Sequence, residues 1–196
     1  MKTILVLGAG LSASTLIRYL LNNSVKHDWT VRIVDQDLNT VKKKINGHVN
    51  GVALSFNALN PDERRPEIQK ADLVISMLPA RFHTEVALDC IDFKTNLITP
   101  SYVSDEMKEL SKAVEESGIL ILNEVGVDPG IDHMSAMQVI DQFVYKAGAT
   151  IGVPAQIEMG YLSKKGGLSL MLTGNWNFRE PYYGALLCYT RKLSLK

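Results

Sequence analysis

Cysteine is scarce in this chain, and neither sign of charge is in excess. Only Cys90 and Cys188 occur among 196 residues, so the sequence offers no disulfide framework and no metal-ligand spacing, and no metal site is predicted. Cys90 falls in an apolar helical pattern and is expected to be buried. Lysine and arginine together number 21, as do aspartate and glutamate, which gives no indication of a nucleic-acid partner or an anionic membrane surface.

A long apolar run is also missing from the N-terminus. The stretch MKTILVL meets glycines at once and is too short for a signal peptide or a membrane span, so we expect a cytoplasmic protein with no membrane partner. The hydrophobic fraction of 46% and the charged fraction of 21% are ordinary for a soluble globular protein. The length suits one domain with an attached fragment.

Apolar, β-branched runs alternate with segments of helical periodicity over the first three quarters of the chain. The predicted strands are 3–7, 29–34, 51–56, 72–77, 96–99 and 119–122. The predicted helices are 11–21, 38–46, 61–70, 81–93, 104–117 and 131–145. This alternation predicts an α/β fold, a doubly wound parallel sheet with helices on both faces.

The last part of the chain lacks this alternation and is crowded with glycine, tyrosine and leucine. Only weak strands at 156–162 and 168–172 are predicted there. We therefore expect a doubly wound domain over 1–148 and a short, incomplete C-terminal extension over 149–196, too short to bury a core of its own.

A glycine-rich turn follows the first strand and opens the first helix. Gly8-Ala9-Gly10-Leu11-Ser12-Ala13 fits the pattern G-x-G-x-x-A. Gly8 permits the tight turn, Gly10 lets a pyrophosphate approach the backbone, and Ala13 allows close packing of helix on strand. The helix N-terminus offers N–H groups to the phosphates. The pattern predicts a dinucleotide site, and hence a Rossmann-like, NAD(P)-binding domain over 1–148; the alternative is a tight turn without a ligand.

An acid ends the second predicted strand. Asp35 is placed to accept hydrogen bonds from the adenosine ribose, which favours NAD over NADP, although Arg32 and Lys42–Lys44 soften that preference. The alternative is that Asp35 is a turn residue. Ser76 and Leu78 end the fourth strand and are expected to face the cofactor.

Further polar residues follow the fifth and sixth strands, at the sheet edge where ligands bind in doubly wound folds. Ser101 and Tyr102 lie in the first of these loops. In the second, Asp128 is predicted to be the N-cap of the next helix and Pro129 its first residue. His83 and His133 are predicted in the first turns of helices, and neither is assigned a catalytic role; the catalytic residues stay unknown.

Four stretches together resemble the saccharopine dehydrogenase family, in its glutamate-forming branch. They are GAGLSAS, SMLPARFH, TPSYVSDEM and NEVGVDPGIDHMSAM, of which DPGIDH is the most specific. The resemblance covers about residues 1–147. It implies a Rossmann domain followed by a larger substrate and dimerisation domain, hence a homodimer. The implied reaction, in lysine metabolism, is NAD(P)-dependent oxidative cleavage of saccharopine, with hydride transfer between nicotinamide and a secondary amine.

The same resemblance assigns roles to individual residues. It implies that Ser101, Tyr102 and Asp128 contact the amino-acid substrate, and that Val127 and Pro129 lie on the cofactor side. A carboxylate suits a substrate ammonium.

The resemblance stops after Gly148, and three functions stay open. The chain is an oxidoreductase acting on saccharopine-like amines, a dinucleotide-binding module without independent catalysis, or a carboxyalkyl-polyamine dehydrogenase on the same scaffold. The short C-terminal part favours the module, whereas the intact DPGIDH and Ser101-Tyr102 elements favour descent from the enzyme.

Overall fold

Six parallel strands form the sheet predicted from the apolar runs. The computed structural model describes residues 1–140 and the strands at 157–162 and 167–172. The sheet order is β3-β2-β1-β4-β5-β6. Its strands are β1 (Lys2–Leu7), β2 (Trp29–Asp35), β3 (Gly51–Ser55), β4 (Leu73–Ser76), β5 (Asn96–Ile98) and β6 (Ile121–Leu122). The order reverses between β1 and β4, so their carboxyl ends open the crevice in which such sheets bind ligands.

Helices cover both faces of the sheet. They are α1 (Ser14–His27), α2 (Leu38–Ile45), α3 (Pro61–Ile68), α4 (His83–Phe93), α5 (Asp105–Glu109), α6 (Ser111–Ser117) and α7 (Ile131–Ile140). Alternate residues of β1 enter two separate cores: Ile4 and Val6 pack with α1 and α2, while Leu5 and Leu7 pack with residues of α3 and α4. This two-sided burial explains why β1 is continuously apolar, and it confirms the doubly wound fold.

Two of the predicted helices differ most from the structure at their bounds. The segment predicted as one helix over 104–117 is α5 and α6, separated at Leu110. The Ser111 hydroxyl donates to the Lys108 carbonyl at 2.5 Å, a local bond that competes with a continuous helix. The first helix begins with a 3-10 turn at Leu11–Ala13 and continues to His27, where Asp28 ends it in the left-handed conformation.

The chain divides into two compact units, Met1–Ile131 and Asp132–Lys196. In the second unit, the two weak strands predicted near the C-terminus are present. β7 (Ile157–Leu162) and β8 (Gly167–Leu172) pair in antiparallel register. The predicted domain boundary at residue 148 lies outside the described residues. Among the residues that are described, no helix has the length and apolar character needed to cross a bilayer.

Candidate cofactor and substrate site

The turn after β1 requires glycine at its first position. Gly8 has a φ of +98°, and a Cβ there would lie 3.1 Å from the Met77 carbonyl oxygen. Its N–H donates to the Val34 carbonyl at 2.9 Å, which ties the turn to β2. The positive φ and the close approach of a neighbouring strand end both disfavour a side chain. The backbone geometry of the turn therefore accounts for glycine at position 8, without any ligand.

Gly10 is glycine for a different reason. Its φ is −63°, which any residue adopts, and among the described residues no heavy atom beyond Gly10 and its chain neighbours lies within 4 Å of the position that a Cβ would occupy. No side chain caps the helix start at Gly10. Ala13 is fully buried against the sheet. The open space above Gly10 and the uncapped helix N-terminus fit a dinucleotide pyrophosphate.

Asp35 holds the glycine turn in place. Its Oδ2 accepts a hydrogen bond from the Ala9 N–H at 2.9 Å, and its Oδ1 accepts one from the Asp37 N–H at 3.2 Å. Each carboxylate oxygen has two lone pairs, so one remains on each oxygen for a ribose hydroxyl. The residue thus orders the turn and also offers acceptors to a ligand beside it.

Two of the basic residues expected to offset Asp35, Arg32 and Lys44, form contacts with other groups. Arg32 Nε donates to the Glu67 carboxylate at 2.9 Å, and this pair is largely buried. Lys44 Nζ donates to the Gly10 carbonyl at 2.5 Å and to Ser14 Oγ at 2.8 Å. Lys44 therefore brings its positive charge to the pyrophosphate turn. No pattern in the sequence indicated that contact.

Two clefts lie along the carboxyl edge of the sheet. The smaller, about 230 Å³, is lined in part by Gly8, Asp35, Phe56 and Leu78. The larger, about 820 Å³, is lined by several predicted site residues: Ser12, Leu78, Ser101, Tyr102, Val127, Asp128 and Pro129. Leu78 lines both clefts. The predicted cofactor and substrate residues are thereby brought together at one edge.

Two other predicted residues do not line these clefts through their side chains. Leu11 is 95% exposed in the first turn of the helix. Ser76 is fully buried, and its hydroxyl is hydrogen bonded with the His83 ring. Its side chain therefore does not face the two clefts as expected.

The loop after β6 is a closed turn. The prediction of Asp128 as N-cap and Pro129 as the first helical residue is wrong, because α7 begins at Ile131. The Gly126 N–H donates to the Pro129 carbonyl at 2.8 Å, and the Ile131 N–H donates to the Gly126 carbonyl at 3.0 Å. These bonds close the backbone before the helix starts.

Both ends of this turn depend on glycine. Gly130 has a φ of +146°, and a Cβ there would lie 2.3 Å from the Gly126 carbonyl oxygen. Between the glycines, Val127 and Asp128 are exposed, whereas Pro129 is buried. The turn consequently carries the Asp128 carboxylate into the larger cleft rather than onto a helix end.

Tyr102 and Asp128 form a pair in the larger cleft. The Tyr102 hydroxyl donates a hydrogen bond to the Asp128 carboxylate. The two residues follow β5 and β6, which are neighbouring parallel strands, so the sheet itself places them together. Both side chains remain exposed in the described structure.

A buried histidine joins the ends of β4 and β5. His83 Nδ1 lies 3.0 Å from Ser76 Oγ, and Nε2 lies 2.9 Å from Ser101 Oγ. The ring is only 3% exposed, and burial lowers the pKa of His83 below its usual value. The imidazole is therefore neutral near pH 7 and uses one nitrogen as donor and the other as acceptor.

His83 is a site residue to which sequence reasoning gave no role. The signal was available: Ser76 ends β4, Ser101 lies in the loop after the neighbouring β5, and His83 begins the helix that follows β4. The second histidine, His133, belongs to the other compact unit, where its Nδ1 lies 2.8 Å from Asp132 Oδ1.

The family model for the saccharopine dehydrogenase NADP binding domain matches residues 4–122. The chain belongs to the saccharopine dehydrogenase family. This match spans the sheet and the glycine turn, and it implies a nicotinamide dinucleotide as the cofactor. The family resemblance stated from the four sequence stretches is thereby confirmed.

Relatives of this saccharopine dehydrogenase-family chain agree with the match. Mitochondrial alpha-aminoadipic semialdehyde synthase of Rattus norvegicus is 37% identical over 168 residues, 85% of this chain and 17% of the relative. Saccharopine dehydrogenase [NADP(+), L-glutamate-forming] of Pyricularia oryzae is 35% identical over 150 residues, 76% of this chain and 32% of the relative. Apo saccharopine dehydrogenase (L-Glu forming) of Saccharomyces cerevisiae superposes with a TM-score of 0.66 at 30% identity, covering 81% of this chain and 33% of that one.

These relatives are much longer than the family member described here. The chain spans about a third or less of their length. What the alignment carries over to this chain is the dinucleotide-binding fold.

Proposed function

We propose that this chain forms the cofactor-binding part of an NAD(P)-dependent oxidoreductase of the saccharopine dehydrogenase type, in lysine metabolism. Its reaction is hydride transfer between nicotinamide and the carbon of a secondary amine or imine in an amino-acid adduct. The observation that carries the proposal is the Tyr102–Asp128 pair beside Ser101, in a cleft that shares Leu78 with the cleft at the glycine turn.

The two clefts suggest the direction in which the cofactor lies. The smaller cleft, with Asp35 at its side, suits the adenosine, and the turn at Gly10 suits the pyrophosphate. Leu78, Val127 and Pro129 then fall toward the nicotinamide, at the border with the larger cleft. The cofactor supplies the hydride, and the protein orients it against the substrate.

The polar residues of the larger cleft suit an amino-acid substrate. The Asp128 carboxylate is an acceptor for a substrate ammonium, and Tyr102 orients that carboxylate through its hydroxyl. Ser101 provides a hydroxyl at the same strand edge. These three side chains bind and orient the substrate; they are the substrate contacts that we propose.

For the cofactor we propose NAD rather than NADP. A 2′-phosphate beside Asp35 would meet an anionic carboxylate, and such a like-charge contact is unfavourable. Arg32 is paired with Glu67, and Lys44 is bonded at Gly10, so neither side chain is engaged with Asp35. The family model carries NADP in its name, and so the preference needs a direct measurement.

The first experiment titrates the purified chain with NADH and NADPH, following nicotinamide fluorescence. We expect saturable binding that is tighter for NADH. Asp35→Ala should narrow the ratio of the two affinities, because it removes the charge that repels the 2′-phosphate. An unchanged ratio would mean that Asp35 serves only the turn, and a folded chain that binds neither nucleotide would overturn the proposal.

The second candidate function is a dinucleotide-binding module without independent turnover. The observation that favours it is the length, since the chain spans about a third or less of its relatives. An assay of saccharopine turnover with NAD by the isolated chain distinguishes an enzyme from a binding module. Reduction of NAD at an enzyme-like rate would refute the module, whereas NADH binding without turnover would support it.

We also propose that the chain self-associates as a homodimer. The support is the apolar exposure around β6, where Leu120 and Leu122 are exposed at the end of the described sheet. Sedimentation equilibrium of the purified chain tests this, and a monomer at all concentrations would refute it.

A further inference from the structure

The His83 ring presents a choice between two hydrogen-bond patterns. A neutral imidazole carries its proton on one nitrogen, and Ser76 and Ser101 occupy both nitrogens. If Nδ1 carries the proton, Ser101 donates to Nε2. If Nε2 carries it, Ser101 accepts and keeps its own hydroxyl hydrogen for another group. The tautomer therefore decides what Ser101 offers to the cleft.

The burial of Ser76 resolves this choice. Ser76 is fully buried, and within the part of the chain that the structure describes, its hydroxyl has His83 as its one hydrogen-bond partner. A buried O–H without an acceptor carries a desolvation penalty. Ser76 avoids it by donating to Nδ1, which must then be the unprotonated nitrogen. The proton lies on Nε2, and Nε2–H donates to Ser101 Oγ.

Ser101 differs from Ser76 because it is only partly buried and lines the larger cleft. Since its oxygen accepts the bond from His83, its hydroxyl hydrogen is left for an acceptor in that cleft. Asp128 already supplies a negative charge there, toward which a substrate ammonium is attracted. The Ser101 hydroxyl, a donor in the loop after the neighbouring strand β5, suits the opposite end of an amino acid, its carboxylate.

A basic residue lies close by. Next to His83 is a further cleft of about 410 Å³, whose lining includes Arg81, Thr84, Tyr102 and one acid, Glu106. The Arg81 guanidinium lies 4.7 Å from the Phe82 ring centroid, at the start of the helix that carries His83. A guanidinium binds carboxylates through paired N–H donors, so the cleft lined by Arg81 also suits a carboxylate.

We propose that His83 is a positioning residue, which holds Ser101 as a hydrogen-bond donor for a carboxylate of the substrate. This inference rests on the proposed function, because it names the group that Ser101 recognises in that site. His83 does not touch the substrate; it acts through Ser101, and Ser76 acts on His83.

The direct test is the tautomer itself, read from imidazole ¹⁵N chemical shifts in the full chain labelled at histidine. His83→Gln identifies the signals among the four histidines. We expect an unprotonated Nδ1 and a protonated Nε2 near neutral pH. A protonated Nδ1 or an imidazolium would overturn the inference. This measurement needs no substrate, so it decides the inference even if NADH fails to bind, an outcome that would count against the proposed function instead.

A second test follows saccharopine binding to the NADH-loaded chain. Ser101→Ala should weaken it about tenfold or more, since a hydrogen bond to a charged group is lost. His83→Asn keeps an acceptor for Ser76 but is too short to reach Ser101, so a similar loss is expected. His83→Gln presents an amide N–H near the Nε2 position and should recover most of the affinity.

The double variant separates positioning from general damage. In the Ser101→Ala background, His83→Asn should cause no further loss of saccharopine affinity, because both changes remove the same contact. Losses that multiply would show that His83 acts elsewhere and would overturn the inference. So would unchanged affinity in His83→Asn. Urea unfolding and NADH affinity of each variant report whether the fold and the cofactor site are intact.

Discussion

Gly8 and Gly10 lie in the same turn, but they are glycine for different reasons. A side chain at Gly8 would be strained, because its φ is +98° and the Met77 carbonyl is close. Gly10 has ordinary backbone geometry and open space around it. The fold therefore does not require glycine at position 10. We attribute Gly10, at the start of an uncapped helix, to the close approach of the cofactor pyrophosphate.

This contrast gives a matched pair of variants. Gly8→Ala should lower the free energy of unfolding by about 1–3 kcal/mol, since alanine must adopt a strained backbone. Gly10→Ala should leave stability unchanged and weaken NADH binding, because its methyl group occupies the approach of the pyrophosphate. Urea unfolding and fluorescence titration measure the two effects. Loss of stability in Gly10→Ala with full NADH affinity would contradict the assignment.

Burial of His83 predicts a dependence of stability on pH. Burial lowers the pKa of His83 in the folded chain, so the unfolded chain, with a pKa of about 6.5, binds the proton more readily. The stabilisation is complete above about pH 6.5 and is lost as the pH falls through the lower, folded value. His83→Gln should show a smaller drop in unfolding free energy between about pH 7.5 and pH 5.5. An equal drop in both proteins would mean that other groups cause it.

At the scale of the element, α3 and α4 are joined by a partly buried ion network. Arg64 Nε donates to the Asp89 carboxylate at 2.6 Å, and both residues are buried. Arg65 also donates to Asp89, and it reaches the exposed Asp92 at 2.9 Å. A buried guanidinium requires its carboxylate, because an unpaired charge in the interior is strongly unfavourable.

Asp89 and Asp92 are therefore expected to differ sharply. Asp89→Ala should lower the free energy of unfolding by about 3–5 kcal/mol, since it leaves Arg64 buried without its main partner. Asp92→Ala, three residues along the same helix, removes only an exposed pair and should change it by about 0–1 kcal/mol. Urea unfolding measures the free energy of unfolding of both variants and tests this difference. Similar values for both would show that the network is solvated rather than buried.

The elements that could be predicted are those whose cause lies within a few residues. β1 was predictable because burial on both faces makes it continuously apolar. The break at Leu110 was not, since no glycine or proline marks it and it accompanies a bond from Ser111. Asp128 fits the pattern of an N-cap, yet Gly126 closes a turn around it before the helix begins.

In the candidate site, too, some features could be predicted from the sequence and others could not. The glycine turn and the residues after β5 and β6 follow from the topology, because carboxyl ends of parallel strands meet at one edge. The Tyr102–Asp128 pair and the His83 bridge depend on contacts between residues up to 26 positions apart. Periodicity carries no information about such contacts, so local sequence reasoning could name Tyr102 and Asp128 but not their bond.

At the scale of the whole molecule, the features of the cofactor site fall within one compact unit. The unit Met1–Ile131 contains all six strands of the parallel sheet, and the family model matches residues 4–122 within it. Both hydrophobic cores also lie there. Each face of the sheet is thus covered by helices of the same unit, which is the condition for a parallel sheet to fold by itself.

We therefore expect residues 1–131, expressed alone, to fold and to bind NADH. NADH at about 100 times its Kd should raise the free energy of unfolding by about 2.7 kcal/mol in the fragment and in the full chain alike, since ligand binds only the folded state. Thermal or urea unfolding with and without NADH measures this. Gly10→Ala in the fragment is the control and should abolish most of the rise. A fragment that unfolds without cooperativity, or binds NADH more than about tenfold less tightly than the full chain, a loss of about 1.4 kcal/mol, would mean that residues beyond 131 are needed to build the cofactor site.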